Sequence, residues 1–298
     1  MSYIEEKAVP AEIHNGFVAF TDVLGFSAAM QNDDAQVVGD IFDVLDMAYS
    51  NAKGGILSQI FDDYHPDPDG EGYLTLCKES EFESNRLLQL VHDHLILSVI
   101  SDSIICACDM SNVNDTEDKR FLSLYFMEML HYLVSNMFSR GLPLRGGVSY
   151  GKFFCSSRGE NKVSPNLFAG SALFSAHRLE SEINAAVVVV DNEAIEKITE
   201  FCGDKCFACG DICAGEVAYK KNETDTEWKE SAIISVTGFT DTINGQSFEE
   251  FYGYIQYLFK LYCKTLDARA RMKCENTFKI FKNILVTSQA KDKGLGHE

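Results

Sequence analysis

Two features are missing from this sequence: a segment able to cross a membrane and a secretory signal. The longest apolar stretch, residues 95–108, is interrupted by Ser98, Ser101, Asp102 and Ser103, and is too short and too polar to span a bilayer. The first fifteen residues carry charged side chains and lack an apolar core, unlike a signal peptide. We therefore expect a cytoplasmic protein that does not insert into membranes.

Basic residues are scarce and unclustered: 26 Lys and Arg stand against 45 Asp and Glu, for a net charge of −19. A nucleic acid polymer needs clustered Lys and Arg to neutralise its phosphates, so that class of partner is excluded. The same charge disfavours anionic membrane surfaces. A small polyphosphate remains possible as a ligand, because Mg²⁺ can bridge carboxylates and phosphate oxygens.

The sequence also lacks repeats of the length that builds solenoids or propellers. Its ten cysteines, without a secretory signal, indicate reduced thiols rather than disulfides. Four of them, Cys202, Cys206, Cys209 and Cys213, form a compact C-x3-C-x2-C-x3-C run. Four thiolates suit tetrahedral Zn²⁺, but the usual zinc layout separates two CxxC knuckles by a longer loop. We favour reduced structural cysteines over a structural zinc site.

Hydrophobic periodicity predicts interleaved strands and helices in a chain of 298 residues, 46% of them hydrophobic. The predicted strands cover residues 16–22, 143–151, 185–190, 216–221 and 232–239, with a hairpin of residues 92–100 and 103–108. The predicted helices cover residues 33–52, 116–139, 170–184 and 193–201, with two more within 247–290. Because the elements follow no strict βαβ rhythm, the pattern favours an α+β fold over a doubly wound sheet.

Two aspartates at strand ends are candidates for metal binding. Asp22 follows the buried run FVAFT, and Asp102 stands at the tip of the predicted hairpin. Such an acid costs free energy unless it is paired or coordinates a metal. Two hard oxygen ligands suit Mg²⁺ or Mn²⁺ holding a triphosphate, although strand-end turns favour Asp in any case.

Four segments, in order, resemble motifs of the class III nucleotidyl cyclases. They are FTDVLGFS, similar to the opening motif; VISDSI, similar to the second metal-aspartate hairpin; LRGGVSYG, similar to the strand after the third helix; and FAGSALFSAHRLES, similar to the helix with the transition-state arginine. With the strand that follows they span residues 16–190. The resemblance implies a ferredoxin-like α+β catalytic fold with additional C-terminal helices. It also implies a head-to-tail homodimer with active sites between the subunits.

We assign residues 1–221 to the catalytic domain and residues 222–298 to a C-terminal strand and helical extension packed on the same domain. The resemblance implies that Asp22 and Asp102, with the carbonyl of Val23, hold two Mg²⁺ or Mn²⁺ ions. It also implies that Arg178 stabilises charge on the triphosphate, reaching it from the partner subunit. The alternative for Arg178 is a surface pairing with Glu182, at i+4 on the same helix.

Further residues are candidates for substrate binding. Gly25 and Phe26 lie in a turn whose backbone amides could cradle phosphates. Arg145 either reaches phosphate or braces the subunit interface, or instead makes a structural pairing. Tyr49, on the first helix, either offers its ring or hydroxyl to a base or packs in the core.

Lys220 and Lys221 end a strand near the place where family members carry a phosphate-binding lysine, although a solvated strand end is the favoured interpretation. His92 and His94 would project to one side of a strand, a weak metal-site pattern.

This sequence differs from the class III family at the positions that contact the nucleotide base. Purine cyclases carry Lys or Glu four residues before the hairpin aspartate, where this chain has Ser98. A second base-reading position, commonly Asp or Cys, is Leu167, and the usual Asn before the arginine is Phe174. Ser175, one turn before Arg178, could partly replace that Asn.

With these changes, the residue pattern resembles that of the pyrimidine cyclases of Pycsar anti-phage systems. That resemblance implies conversion of UTP to cyclic UMP and pyrophosphate, with a separate effector protein that binds the product. The alternatives are a cytidylate cyclase, an adenylate or guanylate cyclase with unusual base contacts, a non-catalytic nucleotide-binding homologue and, more weakly, a zinc-binding interaction protein.

Overall fold

A computed structural model describes residues 12–24, 26, 35–52, 81–139, 142–156, 167–203, 212–221, 225–234, 272–273 and 275–284. Its strands are β1 (Glu12–Val23), β2 (Leu95–Ile100), β3 (Ser103–Asp109), β4 (Leu144–Ser156), β5 (Leu167–Ala169), β6 (Val188–Val190), β7 (Ile212–Lys220) and β8 (Thr226–Ile234). Its helices are α1 (Ala35–Ala52), α2 (Glu81–His94), α3 (Thr116–Ser139), α4 (Ser171–Glu182) and α5 (Asn192–Cys202). Residues 272–273 and 275–284 are also helical, and we call them the C-terminal helical segment.

The strands form one mixed sheet in the order β2-β3-β1-β4-β6-β8-β7, with β5 paired to β4. β1 lies between β3 and β4 and is antiparallel to both, and β2 is antiparallel to β3. The order β2-β3-β1-β4, with helices after β1 and after β3, is the split βαβ arrangement of ferredoxin-like folds. The predicted ferredoxin-like α+β fold is therefore confirmed.

Alternation along β1 separates two hydrophobic clusters, one on each face of the sheet. Phe17 and Ala19 belong to the main core, whereas Val18 packs with Phe153 and Ala172 on the other face. α3 lies against the main core and fully buries Leu122, Phe126, Leu130 and Met137 at helical spacing. The predicted helix over 116–139 is confirmed residue for residue.

The described part of the C-terminal helical segment is held by polar contacts to the residues before β6 and by an apolar contact to α3. The Ala186 N–H donates to Thr277 Oγ1 at 2.7 Å, and the Asn276 side-chain amide donates to the Asn184 carbonyl at 2.9 Å. Phe281 packs edge-on against Phe138 with ring centroids 5.5 Å apart. These contacts join the described C-terminal residues to α3 and to the segment before β6. The boundary after residue 221 stays a prediction.

One sequence expectation is wrong. His92 and His94 are not on a strand: they lie in the last turn of α2, and β2 begins at Leu95. Residues two apart on a helix do not face each other, so the two rings are not a ligand pair. His94 Nδ1 instead hydrogen-bonds the backbone carbonyl of Asp109 at 2.6 Å.

Element boundaries differ in smaller ways. The strand predicted over 185–190 is reduced to Val188–Val190, and β1 and β4 extend beyond the predicted strands at residues 16–22 and 143–151. Among the helices that the structure describes, none is long and apolar enough to cross a bilayer.

Candidate metal and phosphate site

The end of β1 and the β2–β3 turn bring Asp22 and Asp102 together. The Val23 N–H donates to the Asp102 backbone carbonyl at 3.0 Å, and Asp22 pairs with Ser103 across the two strands. The turn between β2 and β3 has only two residues, and Ser101 takes a left-handed φ of 59° to close it. The predicted hairpin with Asp102 at its tip is therefore present, and its tip lies against the end of β1.

The electrostatics at Asp22 suit a divalent cation. Burial, then the negative charges of Asp102 and Glu180, raise the pKa of Asp22 to about 6, although Arg145 and Lys273 act in the opposite direction. Its side chain is 24% exposed, so a small ion and its remaining ligands have access. A metal ion bound to Asp22 would offset the burial and the neighbouring negative charges that disfavour the ionised form of this carboxyl.

Asp22 and Asp102 fit Mg²⁺ or Mn²⁺ in ligand type but provide only part of a coordination sphere. No group of three or more His, Cys, Asp or Glu side chains converges as a metal site in the described ranges. A hard cation here would therefore complete its sphere with oxygens from backbone, substrate or water. The role of the Val23 carbonyl stays a prediction.

Arg145 is engaged within the chain. It lies directly opposite Asp22 on β4, with its Nη2 3.7 Å from Asp22 Oδ2, and it forms an ion pair with Glu180 of α4. The Arg145 and Glu180 side chains are only 11% and 7% exposed. Arg145 thus makes a structural pairing within the chain. Its predicted role in substrate binding stays a prediction.

Glu180 was not predicted as a site residue, although the sequence contains a signal for it. The buried residues of α4 are Ala172, Ala176 and Glu180, spaced by four, so Glu180 continues the stripe that faces the sheet. An acid in a stripe of small buried residues needs a buried cation as partner. The sequence alone did not identify Arg145 as that cation.

Close packing of α4 on β4 brings Glu180 into place. A Cβ atom on Gly147 would lie 2.5 Å from the Ala176 carbonyl oxygen and 2.5 Å from Leu179 Cβ. Only glycine permits this approach. α4 begins after Gly170, whose φ of 126° is strained for any other residue.

Arg178 does not join the Arg145–Glu180 ion pair. It is exposed on α4 and acts on Asp191, the N-cap of α5, as one of the charges that oppose the burial-driven rise in the pKa of that carboxyl. Within one chain, Arg178 thus lies beside Asp191, and its predicted contribution to a partner's site stays a prediction.

Two lysines lie near the acids, and the sequence had indicated only one of them, Lys220. Lys273, half-buried in the C-terminal helical segment, acts electrostatically on Asp22 and Glu180. Burial, followed by the charges of Arg145 and Lys220, lowers its pKa. Lys220 Nζ donates to the Ser181 carbonyl at 2.6 Å, next to Glu180. The acids therefore share their surroundings with several cations.

The candidate base-reading residues are only partly described. Ser98 is buried on β2, opposite Ile105 of the second cluster, and so lies on the same sheet face as Asp22. Phe174 is exposed on α4, and Phe26 is partly buried against the main core. The role of Phe26 in substrate binding stays a prediction. Gly25 and the side chains of Tyr49 and Leu167 lie outside the described residues.

The cysteine run is likewise incomplete. Cys202 is buried in α5 and Cys213 is partly buried in β7, and both are reduced cysteines. Cys206 and Cys209 lie outside the described residues, so a zinc site stays untested.

No family model matches this sequence, and no curated protein does. Solved structures that resemble it include the adenylyl cyclase CyaB from P. aeruginosa, with a TM-score of 0.37, 14% identity, and coverage of 76% of this chain and 97% of that one. The guanylyl cyclase domain of the RhoGC fusion protein from Blastocladiella emersonii gives a TM-score of 0.38 at 10% identity, covering 76% and 98%. Adenylate cyclases from Trypanosoma brucei give 0.35 at 13%, covering 75% and 89%. With TM-scores this low, the fold assignment rests on the strand order and register described above.

Proposed function

We propose that this chain is a nucleotidyl cyclase that converts UTP to 3′,5′-cyclic UMP and pyrophosphate. The observation that carries the proposal is the adjacency of Asp22 and Asp102, fixed by the Val23 N–H bond to the Asp102 carbonyl. The order of motifs from residue 16 to residue 190 supports it, since the acids stand where the class III resemblance requires them.

In this reaction the 3′-hydroxyl oxygen forms a bond to the α-phosphorus, and the bond from that phosphorus to the bridging oxygen breaks. Pyrophosphate leaves with the electron pair, and the hydroxyl proton goes to solvent. Mg²⁺ or Mn²⁺ held by Asp22 and Asp102 would supply a lowered pKa for the hydroxyl and charge compensation for the pyrophosphate.

The residues of this chain orient the triphosphate and neutralise its charge. Asp22 and Asp102 hold the metal–triphosphate at the end of β1, where Arg145 raises the local positive potential. Arg178, exposed on α4, reaches the triphosphate of a second subunit in a head-to-tail homodimer. Its planar, permanently charged guanidinium suits phosphate oxygens.

The pyrimidine preference rests on the residues that replace purine-reading ones. Ser98 is small and buried on the Asp22 face of the sheet, in place of the long charged side chain that purine cyclases carry. A serine hydroxyl can donate a hydrogen bond to O4 of uracil or accept one from the 4-amino group of cytosine, so it is compatible with either base. UTP is the substrate we propose, with CTP as the alternative. The product would act as a second messenger, bound by a separate effector in anti-phage defence.

Incubation of the purified chain with each of four labelled NTPs and Mn²⁺, followed by chromatography, tests the proposal. A phosphatase-resistant product from UTP supports it, and one from CTP alone selects the cytidylate alternative. A product from ATP or GTP alone contradicts the pyrimidine assignment. Tight NTP binding without any product would indicate a non-catalytic regulatory homologue.

Two substitutions serve as controls in the same assay. Asp22→Ala and Asp102→Ala should each abolish turnover, because each removes a carboxylate from the proposed metal pair. Turnover that survives both changes would show that the metal assignment is wrong.

A further inference from the structure

The contacts of Arg145 are unusual for a residue opposite an aspartate. Asp22 and Arg145 are direct cross-strand partners in the β1–β4 register, and opposite charges in that relation ordinarily pair with each other. Here Arg145 Nη2 lies 3.7 Å from Asp22 Oδ2, beyond hydrogen-bond length, and the same nitrogen forms the close ion pair with Glu180. Glu180 therefore holds the guanidinium that Asp22 would otherwise bind.

We propose that Glu180 is a positioning residue that withholds Arg145 from Asp22 and so keeps the Asp22 carboxylate available to a divalent cation. The inference rests on the metal-binding part of the proposed function and is independent of which nucleotide, if any, the chain turns over.

Burial makes the competition between the two acids strong. The Arg145 side chain is 11% exposed, so its charge cannot turn to bulk water if its partner is lost. An unpaired buried charge is costly, and a nearby carboxylate is the means of avoiding that cost. Among the described residues, Asp22 is the carboxylate besides Glu180 that lies within ion-pair distance of Arg145. A guanidinium closed on Asp22 would occupy oxygens that a metal ion needs.

The position of Glu180 suits this role. It lies on the buried stripe of α4, which the glycine at 147 allows to pack closely on β4. It is two residues from Arg178, so the same helix that presents Arg178 also carries the acid that holds Arg145. Acid, base and acid therefore lie side by side in space: Asp22 on β1, Arg145 on β4 and Glu180 on α4.

Mn²⁺ binding to the purified full chain, without nucleotide, tests the proposal by titration with detection of free Mn²⁺ by electron paramagnetic resonance. Glu180→Gln should weaken Mn²⁺ binding roughly three- to tenfold, because Arg145 then closes on Asp22. The matched control is Glu182→Gln, which makes the same charge change at an exposed position of the same helix and should leave the affinity unchanged.

A second variant separates competition from local damage. Adding Arg145→Met to Glu180→Gln removes the competing cation, so the affinity should return to the wild-type value or exceed it. An unchanged affinity in Glu180→Gln overturns the proposal, and so does a double variant that stays weak.

The outcome is distinguishable from failure of the proposed activity. A wild-type chain that binds Mn²⁺ but makes no cyclic nucleotide leaves this test intact and contradicts only the reaction. A wild-type chain that does not bind Mn²⁺ overturns the assignment of the acids, and with it the role of Glu180.

Discussion

The Val23 N–H donates to the Asp102 carbonyl at 3.0 Å, which fastens the end of β1 to the β2–β3 turn. This bond joins backbone atoms, so it does not depend on either carboxylate side chain. It places the carboxylates of Asp22 and Asp102 close together. Together with burial, the charge of Asp102 disfavours the ionised form of Asp22, whose pKa rises to about 6. A site that destabilises its own charged form in this way has a direct consequence for folding stability.

Replacing Asp22 by Asn should stabilise the metal-free protein at neutral pH. The folded-state pKa of about 6 lies above the ordinary value of 3.8, so between these values the folded protein binds more protons than the unfolded chain. Its stability therefore falls as pH rises through that range. We expect Asp22→Asn to raise the free energy of unfolding by about 3 kcal/mol at pH 8, and by little at pH 4.

Urea denaturation at both pH values, in the presence of a chelator, measures this difference. Adding Mn²⁺ should stabilise the wild type and not the variant, since only the wild type retains the carboxylate. A variant less stable than the wild type at pH 8 would show that Asp22 makes favourable contacts that outweigh its burial and its charged neighbours.

Arg178 and Asp102 should complement each other between subunits. If each site takes its acids from one subunit and its arginine from the partner, Asp102→Ala and Arg178→Ala are each inactive alone. Random mixing of the two variants makes mixed dimers in which one of the two sites is intact. We therefore expect about a quarter of wild-type activity after mixing.

The measurement is cyclic nucleotide formation after the two variants are co-refolded or co-expressed in equal amounts. A mixture of two Asp102→Ala preparations is the matched control and should remain inactive. Activity in Arg178→Ala alone, or no recovery in the mixture, would place the arginine outside a shared site.

The sequence predicted those features that depend on local pattern. The helix at 116–139 follows from apolar residues that repeat at helical spacing, and Leu122, Phe126 and Leu130 are indeed buried together. The turn at Asp102 follows from two extended runs flanking a pair of polar residues. In both cases the forces act between residues that are neighbours in sequence.

Long-range partners escaped prediction. Glu180 meets Arg145 from a different element, and Lys273 approaches Asp22 from far along the chain. No local pattern encodes such pairs, because they depend on how elements pack. Helix α2 was not predicted either, and its last residues were assigned to a strand over 92–100, since no Gly or Pro marks the junction of His94 with Leu95.

Removing the charge of Lys273 should strengthen metal binding. Lys273 lies one turn before Thr277, whose hydroxyl donates to the Lys273 carbonyl at 2.7 Å, so the docked segment holds it near Asp22 and Glu180. A cation there repels a divalent ion on the acid pair. We expect Lys273→Gln to tighten Mn²⁺ binding by roughly threefold or more in low salt, with a smaller effect at high ionic strength.

Calorimetric titration with Mn²⁺ checks this expectation. Lys282→Gln, at an exposed position of the same helical segment, carries the same charge change and should have no effect. Weaker binding in Lys273→Gln would mean that the lysine supports the site rather than opposing the metal.

Replacing Gly147 by Ala should destabilise the fold by forcing α4 away from β4. The added Cβ would lie 2.5 Å from both the Ala176 carbonyl oxygen and Leu179 Cβ, and the backbone oxygen cannot move without the helix. Overpacking of this kind costs about 1–3 kcal/mol. The matched control is Gly39→Ala in α1, where nothing lies within 4 Å of the new Cβ. That change should be neutral or stabilise by roughly 0.5–1 kcal/mol through helix propensity.

Thermal and urea unfolding of the two variants measure the contrast, and Mn²⁺ titration of the Gly147 variant extends it to the site. If α4 shifts, Glu180 moves with it and the ion pair with Arg145 lengthens, so Mn²⁺ binding should weaken as in Glu180→Gln. A Gly147→Ala variant as stable as Gly39→Ala would contradict the close approach of α4 to β4. A stable variant with weakened Mn²⁺ binding would instead show that the fold tolerates a shift of α4, whereas the Arg145–Glu180 ion pair does not. The position of α4 would then determine whether Asp22 is available to the metal ion.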